Sequence, residues 1–147
     1  TLWQDELPTL DGAHYRFAGL RFSPKPAQPR LPILIGGNSA RALRRVREKG
    51  DGWHSMTRSV NEMRTAVPEA GGKPCSIRLV LEFVDVPVAR AAADRRTLKG
   101  TPAEILAQVR GYAAAGVAEI VIDANVGDVA ATHAIYRRFR DEVMAAL

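Results

Sequence analysis

Four apolar segments of strand character, each followed by an amphipathic helical segment, predict an α/β fold with a parallel sheet built from four βα units. Cap and turn residues sit at the joints where such helices must start and stop. The joints are short, so each strand leads to the next through a right-handed crossover. With 147 residues, 46% of them hydrophobic, the chain suffices for one compact core and is too short to need two domains. Four βα units are half of a (β/α)8 barrel, but they also suit an open doubly wound sheet, and periodicity does not separate the two.

The first strand is expected over residues 31–37, an apolar run opened by Pro32 and closed by Gly36 and Gly37. Asn38 or Ser39 then caps a helix reaching Lys49, with Ala40, Leu43 and Val46 at helical spacing and Gly50 as a left-handed terminator. A short second strand covers residues 53–56. Ser59 and Glu62 have the spacing of a capping box, opening a helix that reaches Ala66 and stops near Pro68, Gly71 and Gly72. Residues 77–86, IRLVLEFVDV, are the strongest strand signal. A polar, arginine-rich connection, residues 87–99, follows. Thr101, Pro102 and Glu104 form a second capping box, and Ile105, Leu106, Val109 and Tyr112 make one apolar stripe ending at Gly116. Residues 119–124, EIVIDA, are the fourth strand. Asp128 caps a last helix expected to turn Val129, Tyr136, Phe139 and Val143 toward the sheet.

Composition narrows the function classes. No run approaches the roughly 18–20 apolar residues of a membrane span, and the N-terminus lacks the pattern of a signal peptide, so a cytoplasmic protein without membrane association is expected. The lone Cys75 forms no internal disulfide, and neither CxxC nor HExxH occurs, so no metal is expected. The net charge of +5, from 21 basic and 16 acidic residues, is spread over helix faces between acids such as Glu48, Asp94, Glu104 and Asp141. A nucleic-acid footprint would cluster, so no nucleic-acid partner is expected.

Several ordered motifs carry a resemblance. "LW" near the start, "DGAHYRFAGLRFSPKPAQPRLPILIGGNSARALRRVREKGDGW" and "GTPAEILAQVRGYAAAGVAEIVI" together resemble the luciferase-like monooxygenase family, in its branch that uses the deazaflavin coenzyme F420. The resemblance implies a TIM (β/α)8 barrel of which this chain is the C-terminal half: the end of an entry helix and a hairpin over residues 1–30, then four βα units over residues 31–147. It implies FMN or coenzyme F420 as cofactor, a small-molecule substrate, and hydride transfer or monooxygenation. A full barrel takes about 250 residues, and the first four strands have no counterpart here. A half barrel exposes strand edges, so association of two copies, closing an eight-stranded barrel, is a further expectation. The alternative function is a non-catalytic half barrel that serves assembly or weakly binds a phosphorylated ligand.

In such a barrel functional groups stand on the loops after the strand C-termini. The candidates are Gly36, Gly37, Asn38 and Ser39; His54 with its neighbours to Met56; Phe83 to Asp85; and Asp123 to Asn125. At the first, missing Cβ atoms admit an anionic group to the backbone, amides of the helix start point at it, and the Ser39 hydroxyl can donate. The same residues also read as a plain tight turn. The resemblance implies that Gly36, Gly37, Asn38 and Ser39 contact the cofactor phosphate. His54 is a weaker catalytic candidate, able to donate to a flavin carbonyl or act as a general acid, but without an evident partner to set its tautomer. Trp53 reads as a packing residue, His14 as part of the hairpin and His133 as a surface or packing histidine. Asp123 and Asn125 could bind a ligand hydroxyl, and Glu82, whose direction is open, needs a partner if it points inward.

Overall fold

The computed structural model describes residues 2–86, 97–124 and 126–147. The chain divides into two compact units, Thr1–Pro32 and Ile33–Leu147. In the first, residues 2–4 form a turn and β1 (Leu10–Asp11) pairs antiparallel with β2 (Arg16–Phe17), the expected hairpin. The Gly12 amide closes it on the Tyr15 carbonyl at 3.0 Å, and Lys25 Nζ donates to the carbonyls of Leu2 and Asp5. His14 lies exposed between the two strands.

The second unit holds the α/β architecture. Its strands are β3 (Leu34–Gly36), β4 (Gly52–Met56), β5 (Cys75–Phe83), β6 (Thr97–Gly100) and β7 (Glu119–Asp123); its helices are α1 (Ala40–Lys49), α2 (Val60–Ala66), α3 (Pro102–Ala114) and α4 (Val129–Glu142). All pairings in this sheet are parallel. Both β4 and β7 pair with the Ser76–Arg78 part of β5, which puts them on opposite edges of it, while β6 pairs with the last residues of β5 from Val80 to Phe83. The order β3, β4, β5, β7 with a helix after each unit is that of half a (β/α)8 barrel.

Alternation along β5 separates two faces. Cys75, Ile77, Leu79, Leu81 and Phe83 are buried and join Leu43, Val46, Met63, Ile105, Val109, Ile135, Phe139 and Val143 of the helices in one core. Burial of each of the larger aliphatic chains stabilises the fold by about 1.5–3 kcal/mol. Ser76, Arg78, Val80 and Glu82 face the other way, with their register partners His54, Met56, Lys99, Val121 and Asp123. No described helix packs on this second face, and Leu34 and Val121 stand 52% and 40% exposed on it.

Besides strand ends that move by one to three residues, with β3 covering 34–36 rather than 31–37 and β5 covering 75–83 rather than 77–86, three details differ from the sequence expectation. Residues 97–99, placed in the polar connection, belong to the strand Thr97–Gly100, and the rest of that connection, residues 87–96, lies outside the described residues. "TLKG" is too short and polar to show a period, and becomes a strand through its pairing with β5. Gly50 is extended, with φ −92°, rather than left-handed. Its need for glycine is close approach: a Cβ there would lie 2.8 Å from Ile35 Cγ1. On α4, Val129 is 73% exposed and Ile135 takes the inward place beside Phe139 and Val143; Tyr136 is partly exposed and its hydroxyl donates to the Ile122 carbonyl at 3.2 Å.

Both predicted capping boxes are present. Glu104 accepts from the Thr101 amide at 2.8 Å and from its hydroxyl at 2.9 Å. These bonds, the amide first, hold its carboxyl below the ordinary glutamate value. In acid the unfolded chain therefore takes up this proton first. The contribution is fully present above the ordinary value and disappears as the pH falls through the depressed one. The advantage of the native protein over E104Q in urea midpoint is expected to shrink as the pH is lowered from 7 to 3; a constant difference would refute this role.

Candidate functional site

β3 ends on Gly36, and the chain turns through Gly37 and Asn38 to Ser39, the N-cap of α1, whose hydroxyl accepts from the Ala42 amide at 3.2 Å. Gly37 has φ 112°, a region that L side chains rarely adopt. Its amide donates to the His54 carbonyl at 3.2 Å, and its carbonyl accepts from Trp53 Nε1 at 2.7 Å. Asn38 clamps the turn to the end of β4: Nδ2 donates to the Met56 carbonyl at 2.6 Å, while Oδ1 accepts from Ser55 Oγ at 3.0 Å and the Met56 amide at 3.2 Å. Its side-chain oxygen is thus fully occupied in shaping the turn. What the turn offers a ligand is backbone and the Ser39 hydroxyl proton.

Gly36 is the opening. A Cβ built on it meets nothing within 4 Å, and its register partner is His54. The first turn of α1 contains no acidic residue, whereas α2 and α3 carry Glu62 and Glu104 there. The leading amides of α1 have no carbonyl one turn ahead of them, so the positive end of this helix is left for an external anion.

Arg58, which sequence reasoning missed, adds a cation. Its Nη2 donates to the Asn38 carbonyl at 2.8 Å, its guanidinium stands 5.6 Å from the Trp53 ring centroid, and its carbonyl accepts from Tyr112 Oη at 2.7 Å. Among the described residues no carboxylate is bonded to it, in contrast to Arg16, Arg78, Arg138 and Arg140. The preceding Thr57 has φ 50°, a strained value for a β-branched residue. The signal was available in "HSMTRS": Arg58 stands two residues past the end of a strand, where barrel loops carry function.

The remaining candidates fall in different places. His54 is half-buried, and Nδ1 is 2.8 Å from Ser76 Oγ, the partner that the sequence left unidentified. Asp123 bonds Arg78, and Glu82, now placed on the helix-free face, pairs with Lys99 at 3.1 Å. Asn125 lies outside the described residues. Phe83 belongs to the core, with the Arg138 guanidinium 4.2 Å above its ring. Asp85 accepts from Arg138 Nη1 at 2.8 and 2.9 Å, and this bond holds its exposed carboxyl below the ordinary range. Phe83 and Asp85 therefore strap β5 to α4 rather than join the glycine turn. His133 is exposed on α4.

An apolar groove of about 670 Å³ lies against β7 on the helix side, lined by Val109, Ile120, Ile122, Phe139 and Met144 among others. Because Ile120 and Ile122 alternate with Val121, this groove is on the other face of the sheet from His54 and Gly36. Among the described residues no group of three or more His, Cys, Asp or Glu side chains could hold a metal ion, and no helix is long and apolar enough to cross a membrane.

The family model for luciferase-like monooxygenases matches residues 1–83. No curated protein sequence matches the chain. Among solved structures, an F420-dependent secondary alcohol dehydrogenase in complex with an F420–acetone adduct is similar at 12% identity and TM-score 0.67, over 97% of this chain and 58% of that one. A coenzyme F420-dependent tetrahydromethanopterin reductase from Methanopyrus kandleri is similar at 10% identity and TM-score 0.73, over 99% of this chain and 59% of that one. The chain thus spans less than two thirds of either enzyme, and the likeness to both is one of fold. Because the family model covers more than half of its length, the chain belongs to the luciferase-like monooxygenase family.

Proposed function

We propose that the chain is the cofactor-phosphate half of a luciferase-like oxidoreductase that uses coenzyme F420 or FMN on a small-molecule substrate. The observation that carries this reading is the turn after β3: Gly36 opens on the helix-free face, directly before a helix start with no acid in its first turn. Side-chain-free backbone, uncompensated amides, the Ser39 hydroxyl and the Arg58 cation fit a phosphate monoester or diester. F420 stands ahead of FMN because the two solved structures named above are F420-dependent by name.

When bound, the deazaflavin or flavin would supply the hydride-carrying ring. The chain's own residues do the holding. Gly37, Asn38 and Ser39 keep the α1 amides aimed at the anion, Trp53 and Asn38 fix the turn to β4, and Arg58 neutralises charge. Titration of the chain with F420 and with FMN, followed by visible absorbance and fluorescence, tests the reading: micromolar binding of either supports it, and absence of both overturns it. Binding without turnover would favour the non-catalytic alternative. Association of two copies through the open edges of β3 and β7 stays a proposal alongside, which a monomer by light scattering at micromolar concentration would refute.

A further inference from the structure

His54 and Ser76 are register partners on the helix-free face, with His54 Nδ1 2.8 Å from Ser76 Oγ. Ser76 is 3% exposed, so its hydroxyl bonds within the protein, and its two acceptors are Nδ1 and the Trp53 carbonyl at 3.4 Å. A hydroxyl has one proton to give. The contact admits two neutral forms: in one, Oγ–H donates to Nδ1, the nearer acceptor, and the imidazole proton is on Nε2; in the other, Nδ1–H donates to Oγ and the hydroxyl donates to the Trp53 carbonyl. In the charged ring Nδ1–H donates to Oγ and the hydroxyl turns to the Trp53 carbonyl. Nε2 carries a proton in the first neutral form and in the charged ring.

Among the described residues Nε2 has no partner, and the neighbouring strand presents Gly36, with open space where a side chain would stand. We propose that His54 takes the first form and is a ligand-binding donor that offers Nε2–H to an anionic oxygen of the phosphate held over Gly36. Ser76 is the positioning residue that sets its tautomer. The identity of that ligand rests on the proposed cofactor function; the tautomer does not.

Two measurements on the chain separate these parts. With 15N-labelled histidine, long-range proton–nitrogen correlation spectra at a pH where His54 is neutral are expected to show the Nε2–H tautomer, the His54 signals being assigned by their loss in H54Q. S76A is expected to give a mixture with the Nδ1–H form, and S76T to restore the native pattern. An Nδ1–H tautomer in the native chain, or an unchanged one in S76A, overturns the role of Ser76. In titrations with F420 and FMN, H54A is expected to weaken binding about tenfold, while H54Q, which keeps an N–H donor, stays within about threefold. Equal affinity of H54A and the native chain overturns the ligand role. If neither cofactor binds the native chain, the ligand role falls together with the proposed function, while the tautomer result stands or falls on its own spectra.

Discussion

Replacing Trp53 by alanine is expected to lower the unfolding free energy by about 3–5 kcal/mol, a large share of the roughly 5–15 kcal/mol that holds a domain together. Trp53 is 0% exposed and lies in β4 between β3 and β5. Truncation removes the largest fully buried side chain and leaves a cavity that the rigid sheet cannot close. It also removes Nε1–H from the Gly37 carbonyl and the aromatic face from beneath Arg58. Urea unfolding followed by circular dichroism measures the loss, and a change below about 1 kcal/mol would be incompatible with this packing. W53F separates the two contributions. It keeps most of the apolar volume, so its smaller cost of about 1–3 kcal/mol reports chiefly the abandoned Gly37 carbonyl and the residual void. Because that carbonyl belongs to the glycine turn, W53F is also expected to weaken cofactor binding.

Changing Gly36 to leucine is expected to weaken F420 or FMN binding about a hundredfold or more while leaving the unfolding midpoint within the scatter of an ordinary surface substitution. The backbone there needs no glycine and a Cβ meets nothing within 4 Å, so the protein tolerates the side chain. A ligand does not, because the leucine fills the space through which a phosphate reaches the backbone and His54. Gly37 is a poorer probe: its φ of 112° makes any side chain a strain on the fold itself, so lost binding there would not distinguish a missing site from a loosened one. Unchanged affinity in folded G36L would show that the ligand lies elsewhere. The pair of tests is complementary: Trp53 supports the turn from the core, and Gly36 opens it to the ligand.

Elements with local causes were legible in the sequence. Ser59, Thr101 and Asp128 cap the helices they were expected to cap, and of the two candidates Asn38 and Ser39 it is Ser39 that caps α1, because a cap is a bond over three residues and needs no distant partner. The glycine pair likewise marked the turn from β3 into α1. The Asn38 side chain, however, proved to be committed to Ser55 and Met56, and the partner of His54 proved to be Ser76, 22 residues away. Neither pairing has a sequence period, since both depend on the register between strands. Arg58 was missed for a related reason: in a chain with 21 basic residues, only position relative to the turn distinguishes one arginine.

By itself the sequence determined the α/β alternation, the helix ends and, through its motifs, the family. Tertiary structure decided which face of each strand is which. In IRLVLEF the alternation of apolar with Arg78, Val80 and Glu82 is visible, but a barrel strand is covered on both faces, so alternation alone does not say which side meets the helices. Parallel register does: it aligns Gly36, His54 and Ser76 in one row and sends Ile35, Trp53 and Cys75 into the core beneath. It also turns "TLKG" into β6, where Lys99 meets Glu82. Side-chain direction in a sheet is a property of pairing, and pairing is set between segments distant in the chain, which is why the glycine turn could be read from residues 33–43 while the face it opens on could not.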